Sequence, residues 1–145
     1  METAPEAHNT YLKAADTQSV GKLRRTTQLL KYWRSCRTPA IPLASIHLEL
    51  LLASENVCVG AKSYSRCLRD AFHLLRNREC RGLRDPLGIA GVLYAVQTTA
   101  QAEQLVSAVD YAAEHAQSAV EAQERKDWKE ALRQWDIVFN GKFPY

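Results

Sequence analysis

The pattern of apolar and polar positions along this chain predicts helices throughout, and the clearest pair lies in residues 26–52. This stretch, TTQLLKYWRSCRTPAIPLASIHLELLL, contains two helical patterns separated by Pro39 and Pro42. The first pattern, residues 20–36, has one apolar stripe and a face crowded with lysine and arginine. The second, residues 43–54, is apolar nearly all round, which is typical of a helix at the centre of a bundle. The stretch therefore predicts a basic helix packed beside a buried one.

Three further helices are predicted after this pair. Residues 63–78 carry apolar side chains at the i, i+3, i+4 and i+7 positions of an amphipathic helix. A long helix from about residue 98 to 125 has a narrow alanine-rich stripe, and a last helix opens at Asp127, where Glu130 completes a pattern resembling a capping box. No segment shows the alternation of a strand, and the type of residues 89–96 stays open. The prediction is an all-α bundle of about five main helices over residues 19–145, with a frayed segment over residues 1–18 in which residues 9–16 could form one or two helical turns.

Charge and cysteine content narrow the class of protein. The 145 residues carry a formal net charge of +3, but the charge is uneven. Residues 1–97 hold 14 lysines and arginines against 8 acidic residues, whereas residues 98–145 hold 5 against 8. A basic region of this kind favours polyanions. The four cysteines, which include Cys80, lack the spacing of a zinc site and are predicted to be reduced thiols in or near the core.

The chain also lacks the usual signals for a membrane or for export. No apolar run approaches the roughly 18 residues that a membrane-spanning helix needs. The N-terminal residues METAPEAHNT have no apolar core of the kind found in a signal peptide. We therefore expect a cytoplasmic protein with no membrane partner.

The helical pair carries a resemblance to a known family. The pattern LLK-(Y/W)-W, a short loop, and then S-x-H-L-E-L-L resembles the helical C-terminal domain of the cGAS/DncV-like nucleotidyltransferases. The resemblance continues through Asp85-Pro86, the alanine-rich helix and the tryptophan-containing last helix, so it covers most of this chain but only the second half of a family member. It implies that Lys31 meets the phosphates of a bound nucleoside triphosphate and that Ser45 also reaches this donor nucleotide. Complete enzymes of the family make cyclic oligonucleotides that activate antiphage effectors.

Two features depart from the family pattern. The catalytic half uses a Gly-Ser pair and an Asp-x-Asp pair to hold two magnesium ions, and neither pair occurs in these residues. The resemblance therefore implies that the carboxylates and Mg²⁺ belong to a catalytic domain supplied upstream or in trans, with no cofactor in this chain and no catalysis by this chain alone. In several relatives an aromatic residue that stacks on the base follows the serine, but here the residue is Ile46.

The polar residues singled out in the helical pair also have a purely structural interpretation. The alkyl stem of Lys31 can lie on the core, and Ser45 at a helix start commonly bonds its own backbone. His47 is expected to be a core histidine. Glu49 is expected to pair with a basic side chain of the preceding helix.

Two other functions are compatible with the sequence. The first is a non-enzymatic helical module that binds partners or nucleic acid through the basic helix. The second is a ribonuclease similar to the HEPN family, because Arg66 and His73 have the loose arginine–histidine spacing of its signature. Four arginines in residues 76–84 offer phosphate contacts without an interleaved aromatic residue, so base stacking is not predicted there. They are Arg76, Arg78, Arg81 and Arg84.

Overall fold

A computed structural model describes residues 3–79 and 81–144, and this part of the chain contains six helices and one short hairpin. The predicted all-α bundle is therefore confirmed, with one helix more than the five expected. The elements in chain order are α1 Ala4–Gln18, α2 Lys22–Ser35, α3 Ser45–Ser54, α4 Tyr64–Arg78, β1 Leu83–Arg84, β2 Val92–Leu93, α5 Thr99–Glu124 and α6 Trp128–Val138.

The most apolar helix, α3, lies inside the bundle as its sequence predicts. Its leucines at positions 48 and 50–52 are fully buried, and it packs against α1 and α2. On α2, Leu30 and Trp33 are buried on the predicted stripe, and the Trp33 ring meets Phe72 of α4 edge-on at 5.0 Å between centroids. Although α3 is almost wholly apolar, it is only ten residues long. Among the described residues, no helix combines the length and apolar character needed to cross a membrane.

The long helix α5 organises the C-terminal half. Its small buried side chains, such as Ala113 and Ala116, allow α4 on one side and α6 on the other to approach its backbone closely. Thr98 caps the start of α5 by accepting a hydrogen bond from the N–H of Gln101. Asp127 caps α6 in the same way. These ends match the predicted boundaries because each is set by local sequence.

The frayed N-terminal segment predicted over residues 1–18 is wrong for the described residues, because α1 occupies Ala4–Gln18. A capping box starts this helix: the Thr3 hydroxyl accepts from the N–H of Glu6, and the Glu6 carboxylate accepts from the N–H of Thr3. Tertiary contacts also hold the helix, since His8 is buried and Tyr11 packs on the core. A short polar helix of this kind gains most of its stability from packing, which local composition does not reveal.

Residues 83–93 form a two-stranded antiparallel hairpin that the sequence pattern did not predict. Leu83 pairs with Leu93, and Arg84 pairs with Val92. Two residues in each strand are too few to show the alternation by which strands are recognised. The hairpin is joined to the start of α3, because the N–H of Ala44 donates to the carbonyl of Ala95 at 2.8 Å.

Candidate functional site

Lys31 and Glu49 face each other across the contact between α2 and α3. The Lys31 ammonium donates a hydrogen bond to the Glu49 carboxylate, which confirms the predicted pairing of Glu49 with the preceding helix. The Lys31 side chain remains 35% exposed. The pair therefore places a partly exposed cation at the surface without burying an unpaired charge.

Ser45 is the first residue of α3 and lies one helical turn before Glu49. Its hydroxyl accepts a hydrogen bond from the Arg34 guanidinium at 2.8 Å. The other arm of Arg34 donates to the carbonyl of Leu43. The expectation that Ser45 bonds only its own backbone is thus wrong, because an arginine of α2 reaches it.

These contacts form two rungs of one antiparallel seam. Arg34 and Lys31 are three residues apart on α2, and their partners Ser45 and Glu49 are four residues apart on α3. The rungs are therefore about one helical turn, or roughly 5–6 Å, apart along the helices. We call these four residues the α2–α3 seam. The structure brings the two residues singled out by the sequence, Lys31 and Ser45, onto the same seam.

A cleft of about 390 Å³ opens beside one end of the seam, between α1 and α2. This volume lies within the range of roughly 300–1,000 Å³ that is usual for small-molecule sites. Lys31 and Glu49 line the cleft, whereas Ser45 is not among its lining residues. The other lining residues include Leu12 and Leu23 as apolar surface, Lys13 and Arg24 as cations, and Asp16 as a carboxylate.

Most cations of the basic helix are used inside the fold. Lys22 donates to the carbonyls of Gly60 and Lys62, and Arg37, just beyond the end of α2, donates to those of Ile137 and Val138 at the end of α6. Cations suit these positions because carbonyls at the ends of helices and loops lack other donors. The exposed arginines that remain on α2 are Arg24 and Arg25. The cationic face predicted for polyanion binding is therefore smaller than its composition indicates.

The core assignment of His47 is confirmed. The side chain is buried, and its Nδ1 atom lies 3.0 Å from the carbonyl oxygen of Leu93. Burial lowers the pKa of His47, and this outweighs the opposite effect of the hydrogen bond to Leu93. This histidine links α3 to the hairpin rather than to the seam.

Arg66 and His73 both turn towards α5 instead of lining a common cleft. Arg66 forms an exposed ion pair with Glu124 at 3.1 Å. His73 is partly buried, its Nε2 atom has no hydrogen-bond partner among the described residues, and burial lowers its pKa with help from the nearby arginine charges. The two side chains lie about 10 Å apart along α4. This placement explains the pair as helix packing and gives the ribonuclease alternative no support.

An interaction that sequence reasoning missed joins α1 to the hairpin. The buried His8 Nε2 lies 2.8 Å from the buried carboxylate of Asp85. The same carboxylate accepts the backbone N–H groups of Leu87, Ile89 and Ala90. The Asp-Pro sequence signals a turn at Asp85, but no local signal identifies a partner 77 residues away.

The pKa of Asp85 is about 2. Burial by itself raises the pKa of a carboxyl group, but here the hydrogen bonds from the Ala90 and Leu87 backbone and from His8 stabilise the charged form more strongly. Asp85 therefore stays ionised inside the fold. Its four hydrogen bonds fix the loop of the hairpin and the position of α1 together.

Three cysteines are buried free thiols, namely Cys36, Cys58 and Cys67. The prediction of reduced core thiols is confirmed for these three, and Cys80 lies outside the described residues. Burial raises the pKa of Cys58 to about 11. A thiol of this kind is a poor nucleophile near neutral pH.

Side chains that could ligate a metal ion do not cluster in residues 3–79 and 81–144. No group of three or more His, Cys, Asp or Glu side chains in this part of the chain is arranged to hold a metal ion. The residues at the seam, with one carboxylate between two cations, do not fit the two-magnesium site of a nucleotidyltransferase.

Comparison with known proteins does not assign the chain to a class. No protein-family model matches it, and no characterised protein is significantly similar to it. The resemblance of residues 26–52 to the nucleotidyltransferase helical domain therefore stays a prediction. The geometry of the seam and the cleft is the basis for a functional proposal.

Proposed function

We propose that the α2–α3 seam binds the phosphates of a nucleoside triphosphate. The observation that carries this proposal is the position of Lys31, a partly exposed cation at the edge of a cleft large enough for a small ligand. A lysine ammonium on a flexible stem is a common phosphate ligand. Ser45 lies on the neighbouring rung, so both residues suggested by the family resemblance can contact one extended ligand.

The start of α3 adds groups that suit an anion. Ala44 at the N-cap makes no side-chain capping bond, so the first N–H groups of α3 receive no cap from that side chain. Free N–H groups at a helix start attract phosphate, and the Arg34 guanidinium beside Ser45 adds a positive charge. In this proposal the phosphates run along the seam from Lys31 towards Ser45. Before the ligand arrives, the Lys31 ammonium is paired with Glu49, which competes with phosphate for it.

This assignment makes the chain the helical nucleotide-binding part of a cGAS/DncV-like nucleotidyltransferase. The metal-binding carboxylates and Mg²⁺ would come from a catalytic domain encoded upstream or supplied in trans. The complete assembly would make cyclic oligonucleotide signals for antiphage defence in the cytoplasm, and this chain alone would not catalyse the reaction.

Titration with nucleotide tests the proposal. We expect ATP or GTP to cause saturable amide shifts at the α2–α3 seam, and we expect Lys31→Ala to weaken binding about tenfold to a hundredfold because a charged hydrogen bond to phosphate is lost. Ser45→Ala should weaken binding less, since it removes a neutral hydroxyl. The measurement is the dissociation constant from NMR shifts, with and without Mg²⁺.

The control for this titration is Lys129→Ala, which removes an exposed lysine on α6. It should leave the affinity unchanged. Shifts spread over every basic residue, equal for any polyanion and abolished by moderate salt, would contradict a nucleotide site and indicate general binding to exposed cations such as Arg24 and Arg25.

Glu49→Gln provides a second prediction with the opposite sign. The substitution keeps the shape of the side chain but removes a negative charge beside the proposed phosphate position and releases Lys31 from its ion pair. We expect nucleotide affinity to rise roughly two- to fivefold, in line with the modest energy of a partly exposed pair. Glu103→Gln on α5 makes the same change in net charge and should have no effect. Equal gains in the two variants would show that net charge alone governs binding.

A further inference from the structure

The outward face of the hairpin is unusually apolar for an exposed element. Val92 is 48% exposed and Tyr94 is 67% exposed. Both lie on the face opposite Leu93, whose strand partner Leu83 is buried. The inner face of the hairpin therefore serves the core, whereas the outer face presents an aromatic ring to solvent.

Gly82 is the reason that the Tyr94 ring lies where it does. A Cβ atom at Gly82 would be 2.7 Å from Cγ1 of Val92 and 3.4 Å from both Cδ1 and Cε1 of Tyr94. The ring therefore lies alongside the glycine backbone, in space that any side chain would fill. One side of the Tyr94 ring packs against Gly82, while most of the residue stays accessible to solvent.

Three arginines lie near Gly82, either in the chain or through a hydrogen bond to its carbonyl. Arg78 donates to the carbonyl of Gly82 at 2.9 Å, and Arg81 donates to the carbonyl of Arg78 at 3.0 Å. Arg84 is exposed on the same face as Val92, its partner in the strand register. These bonds to carbonyls fix the first two guanidinium groups without neutralising them, and no carboxylate among the described residues forms an ion pair with any of the three.

We propose that Tyr94, Arg81 and Arg84 form a binding platform for single-stranded nucleic acid. An exposed ring accepts a stacked base, and nearby fixed cations contact the phosphates on either side of that base. An acidic peptide would satisfy the cations but would leave the ring unused. The neighbouring Asp85 does not repel the phosphates strongly, because its carboxylate is buried and occupied by four hydrogen bonds.

This platform is separate from the proposed nucleotide site in its chemistry. The α2–α3 seam offers cations and a helix start but no aromatic side chain, whereas the hairpin offers an exposed aromatic ring on the face that carries Arg84. Sequence spacing did not suggest the platform, because Tyr94 is ten residues beyond Arg84 and shares a face of the hairpin with it only through the strand pairing.

The test is fluorescence anisotropy with labelled single-stranded oligonucleotides of about 12 nucleotides. We expect Tyr94→Ala to weaken binding roughly tenfold, because the stacking contact is lost, and Tyr94→Phe to retain it. Arg84→Gln should reduce the slope of log affinity against log salt concentration by about 0.7, the value for one phosphate contact on a single strand. Tyr94 is largely exposed, so these variants should fold, which circular dichroism can verify.

Two controls make the outcome decisive. Lys129→Ala removes an exposed lysine of α6 and should bind the oligonucleotide as the unmodified chain does, which shows that the loss of any one exposed cation does not weaken binding. Unchanged affinity in Tyr94→Ala would overturn the proposal, because a ring that contributes nothing is not a stacking surface. Equally strong binding of a polyglutamate peptide that competes with the oligonucleotide would also overturn it, in favour of an acidic protein partner.

Discussion

Replacing Asp85 by alanine is expected to lower the free energy of unfolding by about 3–5 kcal/mol, because it removes a buried charge that holds several hydrogen bonds. The substitution leaves His8 buried without its partner and deprives three backbone N–H groups of the hairpin loop of their acceptor. It should also loosen α1, because His8 is the buried side chain of that helix. Urea denaturation followed by circular dichroism measures the loss.

Two other variants place this effect in proportion. His8→Ala should cost less, about 1–3 kcal/mol, because the Asp85 carboxylate keeps its three backbone donors. Asp127→Ala removes an aspartate that caps α6 at an exposed position, so it should cost about 1 kcal/mol. If Asp85→Ala were no more destabilising than Asp127→Ala, the buried network would not hold α1 and the hairpin together.

The pKa of Asp85 gives the same prediction a pH dependence. This pKa is about 2 in the folded chain, below the ordinary value of 3.8. A carboxyl group with a lowered pKa stabilises the fold fully above its ordinary pKa, and the stabilisation is lost as the pH falls through the folded value. The difference in stability between the unmodified chain and Asp85→Ala should therefore be constant near neutral pH and shrink between about pH 4 and pH 2. A difference that stayed constant down to pH 2 would show that the charge of Asp85 is not what stabilises the loop.

Replacing Trp33 by alanine is expected to have a comparable effect, a loss of about 3–5 kcal/mol. Trp33 is fully buried and packs edge-on against Phe72, so the substitution removes a large apolar surface and an aromatic contact between α2 and α4. Because Trp33 and Phe72 both lie in the close-packed core, the cavity left by Trp33 cannot close without moving a helix. Thermal and urea unfolding measure the change.

Trp128 is the matched control for this substitution. It is the first residue of α6 and is 57% exposed, so Trp128→Ala should change the free energy of unfolding by no more than about 0.5 kcal/mol. The comparison uses the same pair of residue types in two environments and therefore isolates burial. Similar losses in the two variants would mean that Trp33 is not a core residue.

Asp85→Ala and Trp33→Ala test two features of the fold, and the sequence predicts only one of them. The burial of Trp33 follows from its place on the apolar stripe of α2, because a side chain three residues after Leu30 shares its face. The network of Asp85 has no comparable signal, since its partner His8 lies in a segment whose composition favours fraying. Periodicity reports which face of a helix is buried, but it does not report which distant residue that face meets.

The candidate site shows the same division. Lys31 and Ser45 were selected from the sequence, and the structure adds that they lie on neighbouring rungs with Glu49 and Arg34 as partners. The pairing with Glu49 was predicted because the two helices follow each other directly. The contact of Arg34 with Ser45 was not, because it depends on the turn between the helices.

The number and order of the main helices, their caps and the apolar faces of α2 to α6 follow from the amino-acid order, because these properties depend on residues within a few positions of one another. The position of α1, the donation of Lys22 and Arg37 to backbone carbonyls and the packing of Tyr94 beside Gly82 depend on the tertiary structure. Each of these needs groups far apart in the chain to be brought within hydrogen-bond or van der Waals distance. Such contacts form because burial of the shared core holds the elements together. They cannot be predicted from the pattern of neighbouring residues in the sequence.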